Sequence, residues 1–170
     1  SIFLMLGGVF YTDHKIATMR GLTDEEKLVA RAHPIEAAIA KNASDIAGKL
    51  TNYYWGENAT NYDATAANAF KHAVWNALMT RDLGYSMARN FAIAHEAPYY
   101  GDMTPYKMRY DESIVMTIHD GIVMDLINNE RGRKVGQSVP FYYSNDQVAQ
   151  AVISDMQAHP EEYCILVNNY

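Results

Sequence analysis

Between Ala64 and Thr80 the chain carries a single charged residue, Lys71, and is otherwise rich in alanine and larger apolar groups. A helix that is apolar around its whole circumference is stable only when other helices surround it. This stretch therefore predicts a central helix, from about Asp63 to Asp82 with Gly84 as its stop signal. Within it Asn68, His72 and Asn76 recur at every fourth residue and stack on one face. A buried imidazole or carboxamide without a partner costs about 1–3 kcal/mol. Other helices must bring polar groups to meet these three.

Two further segments supply them. A long apolar helix is expected from about Glu112 to Lys134, with Asp125, Asn129 and Arg133 at the same spacing among Ile118, Ile122, Met124, Leu126 and Ile127. A carboxylate in that company calls for a cation, a hydrogen-bond network or a metal. Gly121, one turn earlier, removes a side chain from this face and predicts a close approach or a cavity. The third segment is a helix that Ser86 can cap and that runs to about Glu96, before Pro98. In it His95 shares a face with Ala88, Phe91 and Ala92 and points inward, whereas Glu96 reaches either the site rim or solvent.

The remaining punctuation is local. Thr23 and Glu26 form a capping box for a helix to about Ala32, and His33-Pro34 restarts a helix that runs to about Thr51. Residues 99–110, with Gly101 and Pro105, read as a long irregular connection beside the site and a candidate lid. Ser144 with Gln147 caps a helix to about Ala158, and Cys164–Val167 is compatible with a short strand. Five or six helices with short connections predict an all-α fold: a compact, irregular single-domain bundle over residues 1–170, not a simple four-helix up-down bundle, with residues 1–22 as a peripheral segment. The apolar opening Ser1–Phe10 reads as the end of a trimmed signal or anchor, or as a first helix.

Composition narrows function. With 49% hydrophobic and 20% charged residues the chain is globular, and its net charge of -6 with no basic run argues against duplex nucleic acid as a partner. Arg131, Arg133 and Lys134 read as a helix C-terminus. One cysteine, Cys164, allows neither a disulfide framework nor a cysteine-ligated zinc. No stretch is long enough to span a membrane.

The blocks Ala69-Phe70-Lys71-His72-Ala73-Val74-Trp75-Asn76-Ala77-Leu78, Ala94-His95-Glu96 and Asp125-Leu126-Ile127-Asn128-Asn129-Glu130-Arg131-Gly132-Arg133 resemble a widespread, uncharacterised bacterial domain family with the pattern AFxHAxWNAL, AHE, DLxNNxxGR. The resemblance covers about residues 60–136. It implies a secreted, envelope-associated or toxin-like setting. Members often carry histidine where this chain has Ile127. The helical layout is reminiscent of zinc-dependent phospholipases C and single-strand nucleases, although the helix-borne HxxxH or HxxxE pair of those enzymes is absent.

Three readings stay open. In the first, His72, His95 and Asp125 hold a divalent metal such as zinc, Glu96 is base or further ligand, Asn68, Asn76 and Asn129 orient the site, and Arg131 or Arg133 neutralises a phosphate. That protein would hydrolyse an ester or phosphodiester in a small-molecule, lipid or wall-derived substrate. In the second, Glu96 acts alone as the general acid of a metal-free, wall-degrading glycosidase. In the third, the polar core only fixes helix registry in a binding or assembly module.

Overall fold

A computed structural model describes residues 21–109 and 112–167; the apolar opening Ser1–Phe10 lies outside them. Six helices carry the fold among the described residues: α1 (Asp24–Ala32), α2 (Pro34–Trp55), α3 (Ala66–Leu83), α4 (Tyr85–Glu96), α5 (Ile118–Ser138) and α6 (Asn145–Ala158). The all-α class predicted above is what is found. None of these helices is long and apolar enough to cross a membrane.

The apolar segment is the hub. Twelve of the eighteen residues of α3 are buried, and α3 packs on α5, α2, α4 and α6. Thr65 caps it by accepting from Asn68 N, so the helix begins three residues later than Asp63. The main core gathers Phe70, Val74, Leu78 and Met79 of α3 with alanines of α2, Phe91 of α4 and Val148 and Val152 of α6.

The packing of α3 on α5 decides where the polar residues lie. A Cβ at Gly132 would sit 2.6 Å from Ala73 Cα and closer still to the Ala73 carbonyl oxygen, and one at Gly136 would sit 2.6 Å from the Ala77 oxygen. Two glycines, one turn apart, thus let the α5 backbone rest directly on α3. Side chains that flank this contact are forced together.

Several local expectations change. Gly84, at φ 82°, ends α3 and also starts α4, so Ser86 is not the cap. The α5 helix starts at Ile118 instead of Glu112, because Thr117 and Asp120 form a capping box there. The connection at 99–110 is not wholly irregular. A short strand β1 (Pro105–Lys107) pairs antiparallel with β2 (Val115–Thr117), Tyr106 opposite Met116. Residues 164–167 are not a strand. Asn128 of α5 does a strand's work for them, donating to Cys164 O (2.8 Å) and accepting from Cys164 N (3.0 Å). Leu166 N and Val167 N both donate to Ala64 O.

The capping boxes at Thr23–Glu26 and Ser144–Gln147 are both formed. Replacing Ser144 with alanine is expected to cost about 1 kcal/mol by removing the cap of α6. A thermal melt should record this as a loss of about 2–4 °C.

Candidate functional site

At the α3–α5 contact the expected polar face is assembled in a definite hydrogen-bond order. Arg133 can only donate. Its Nη1 donates to Asn76 Oδ1 (2.7 Å), which fixes the Asn76 amide. Asn76 Nδ2 must then donate, and it does so to Asn129 Oδ1 (2.7 Å) and to the His72 carbonyl (3.1 Å). Asn129 Oδ1 is thereby an acceptor, so His72 Nδ1, 3.1 Å away, carries the ring proton. A neutral imidazole with its proton on Nδ1 presents a bare Nε2. That atom faces Asp125 Oδ1 at 3.3 Å, which already accepts from Asn68 Nδ2 at 3.1 Å.

The imidazole is neutral. Burial pushes His72 well below the usual histidine range, the charges of Lys71 and His95 add to this, and only the bond to Asn129 opposes it. Two acceptors therefore face each other, and a positive charge or a proton must lie between them. Burial and the neighbouring Glu96 push Asp125 up to about 8, against Lys71 and His95, so its own proton can fill the gap at neutral pH. A cation can fill it as well.

Glu96 completes the cluster. Sequence reasoning pointed His95 inward and left Glu96 at the rim or in solvent; the structure exchanges them. Glu96 is the last residue of α4 and follows the buried Ala88 and Ala92 at four-residue spacing, so the regular helix itself turns it inward. Glu96 is buried, and burial raises its pKa. Its Oε1 and the Asn129 Nδ2 are both buried and fall short of full hydrogen-bonding geometry, yet Asn129 is near enough to oppose that rise by donating toward the carboxyl. Potential ligand atoms of His72, Glu96 and Asp125 all lie within 4.8 Å of one another. Glu96 thus stands where the sequence expected His95.

His95 belongs to the rim, with 46% of its side chain exposed. Its Nδ1 bonds Glu26 Oε1 of α1 at 2.8 Å, and its ring meets Trp75 edge-on at 5.3 Å. Burial lowers its pKa, but the Glu26 bond and the charges of Glu96, Glu26 and Asp125 outweigh that and raise it. Glu26 was legible only as a helix cap. Its second task, bridging α1 to α4 alongside the bond from Thr23 Oγ1 to Ala94 O, has no local sequence signal.

The arginines are committed elsewhere. Arg133 bonds Glu130 as well as Asn76, under the Tyr85 hydroxyl that also donates to Glu130. Arg131 is forked onto Asp155 and bonded to Glu162, so neither guanidinium is available for a phosphate. The gap opposite Gly121 is taken by the Tyr106 hydroxyl, 3.0 Å from where a Cβ would stand, which brings β1 to the border of the site. Burial and then the carboxylates of Asp63, Asp125 and Asp120 raise the Tyr106 pKa.

A cleft of about 590 Å³ opens beside the cluster, between α1, α2, α3 and α4, with His72, Trp75 and His95 in its wall.

The family model described as a domain of unknown function (DUF6973) matches residues 27–159. The chain belongs to this family. All three motif blocks and every member of the cluster fall within the DUF6973 match. No curated protein and no solved structure matches the chain. In this DUF6973 domain Ile127 is 41% exposed, on the face of α5 turned toward Arg131 and Glu162. An isoleucine there removes no ligand from the His72–Glu96–Asp125 cluster.

Proposed function

We propose that this domain is a metal-assisted hydrolase of an ester or phosphodiester, with a divalent transition ion held by His72 Nε2, Asp125 and Glu96. One observation carries the reading: the hydrogen-bond order from Arg133 through Asn76 and Asn129 aims a bare imidazole nitrogen at a carboxylate oxygen. A histidine fixed through its other nitrogen, next to two carboxylates, is the donor set that suits zinc or a similar ion. The closeness of the Glu96 carboxyl to the other two ligand atoms, all within 4.8 Å of one another, supports the same reading.

When bound, the ion would acidify a water to serve as nucleophile. Asn68, Asn76 and Asn129 hold the ligands in register, and Arg133 sets the direction of the chain. His95, whose hold on its proton is strengthened by Glu26, would give that proton to the departing oxygen as the bond to that oxygen breaks.

A second reading keeps some support from the same relay. Its buried Arg133–Asn76 end would also serve a non-catalytic helical module, as a device for registry. A glycosidase acting through Glu96 alone has less support, since that carboxyl is buried.

Elemental analysis of untagged protein, followed by dialysis against zinc or manganese, tests the proposal. About one equivalent of metal is expected, with uptake lost in His72→Ala. Hydrolysis of bis(4-nitrophenyl) phosphate or 4-nitrophenyl acetate should follow the metal and fall at least about a hundredfold in either variant His72→Ala or Glu96→Gln. Wild-type protein that takes up no ion from either solution would leave the registry reading.

A further inference from the structure

The cleft beside the cluster has a chemical character of its own. Its floor is made of small side chains, Ala37, Ala40 and Ala47 of α2, with Phe91 of α4 behind them. Alanines at helical spacing leave volume where larger residues would close the groove against α3. Trp75 forms a fixed wall, because its indole N–H donates to Ala40 O at 3.2 Å. A volume of about 590 Å³ with an apolar floor suits one small organic molecule.

The polar side of the cleft is biased in charge. Three lysines and two carboxylates line it. Lys41 is paired with Asp45 (2.5 Å) and Glu26 with His95 (2.8 Å). Lys49 and Lys71 have no hydrogen-bond or ion-pair partner among the described residues. Two ammonium groups without an ion-pair partner in one cleft are not background in a chain of net charge -6, even though the Lys71 charge is felt by the Glu96 and Asp125 carboxyls. Lys71 directly precedes His72, so an anion on it sits at the edge of the cluster. Asn52 adds a donor: its Oδ1 accepts from Thr60 N, which leaves Nδ2 for a ligand.

We infer that this cleft binds a soluble phosphate ester, its phosphate held by Lys49 and Lys71 and its organic group laid on the alanine floor against Trp75. The inference rests on the phosphoester branch of the proposed reaction and names its substrate class. Lysines here take the place that the committed Arg131 and Arg133 cannot fill.

Calorimetric titration of the whole protein with phenyl phosphate, in excess chelator, tests binding without any dependence on metal or turnover. Phenyl phosphate should bind at least about tenfold more tightly than inorganic phosphate or phenol, and more weakly as salt rises. Lys49→Gln and Lys71→Gln should each weaken it about tenfold, while Lys134→Gln, on α5 outside the cleft, leaves it unchanged. Gly48→Leu fills the cleft from α2, where an added Cβ meets only Thr60 Cγ2 at 3.9 Å, and should abolish binding in a protein that still melts cooperatively. Phenyl phosphate binding no better than phenol, or binding that ignores Lys49, Lys71 and Gly48, would overturn the inference. Binding with these dependences in a protein that takes up no metal would sink the hydrolase and leave the cleft assignment standing.

Discussion

Asp125→Asn is expected to melt higher than the parent protein when both are free of metal, and the gap should widen as pH rises from about 5 to about 8. The sign follows from the direction of the shift. The Asp125 carboxyl has its pKa raised from 3.8 to about 8 by burial and by Glu96. Its contribution is therefore fully present below the unfolded value and is lost as pH rises through the folded one. An asparagine does not titrate, so it escapes this loss. Its amide nitrogen can also take the place of Oδ1 and donate to the bare His72 Nε2, which removes the clash of acceptors there in exchange for the bond from Asn68. Each pKa unit is worth about 1.4 kcal/mol, and the 19% exposure of the side chain trims the total to about 2–4 kcal/mol at the upper pH. Zinc should reverse the order. At about a thousand times its dissociation constant, an ion stabilises the parent by about 4 kcal/mol and should do little for the variant. A variant that melts far below the parent, with or without zinc, would mean that Asp125 serves only the scaffold.

The sequence made the members of the site legible because burial is periodic. Asn68, His72 and Asn76 on one apolar helix, and Asp125, Asn129 and Arg133 on another, stand out through repetition on faces largely turned away from water. What the sequence could not carry was orientation at the helix ends. His95 shares a face with Phe91 and Glu96 shares one with Ala92, both buried, so spacing alone did not choose between them; Glu26, which holds His95 at the rim, arrives from a helix about seventy residues away. The strands β1 and β2 were missed for a related reason. Three residues each are too few to establish an alternating pattern, and their partnership is visible only across the chain. At Cys164–Val167 the apolar run looked like a strand, but its neighbour is a side-chain amide and no ladder forms.

Gly132→Ala is expected to be the most damaging small substitution in the protein. Gly132 lies at the seam where α5 rests on α3, and the atoms that a methyl group would strike are Ala73 backbone, which cannot rotate away. Overpacking a core commonly costs about 1–3 kcal/mol when side chains can yield. Here the two helices must part, and parting them stretches the His72–Asn129, Asn76–Asn129 and Arg133–Asn76 bonds together. A loss above about 4 kcal/mol is expected, a large share of the 5–15 kcal/mol that holds a typical domain folded. Gly121→Ala provides the contrast within the same helix. Its Cβ would meet the Tyr106 hydroxyl at 3.0 Å, the far end of a side chain that can shift, and alanine regains about 1 kcal/mol of helix propensity. Urea unfolding followed by circular dichroism should therefore find Gly121→Ala within about 1 kcal/mol of the parent and Gly132→Ala unfolding at a far lower urea concentration. If the two variants unfold at similar urea concentrations, direct backbone contact between α3 and α5 is not what brings the site together.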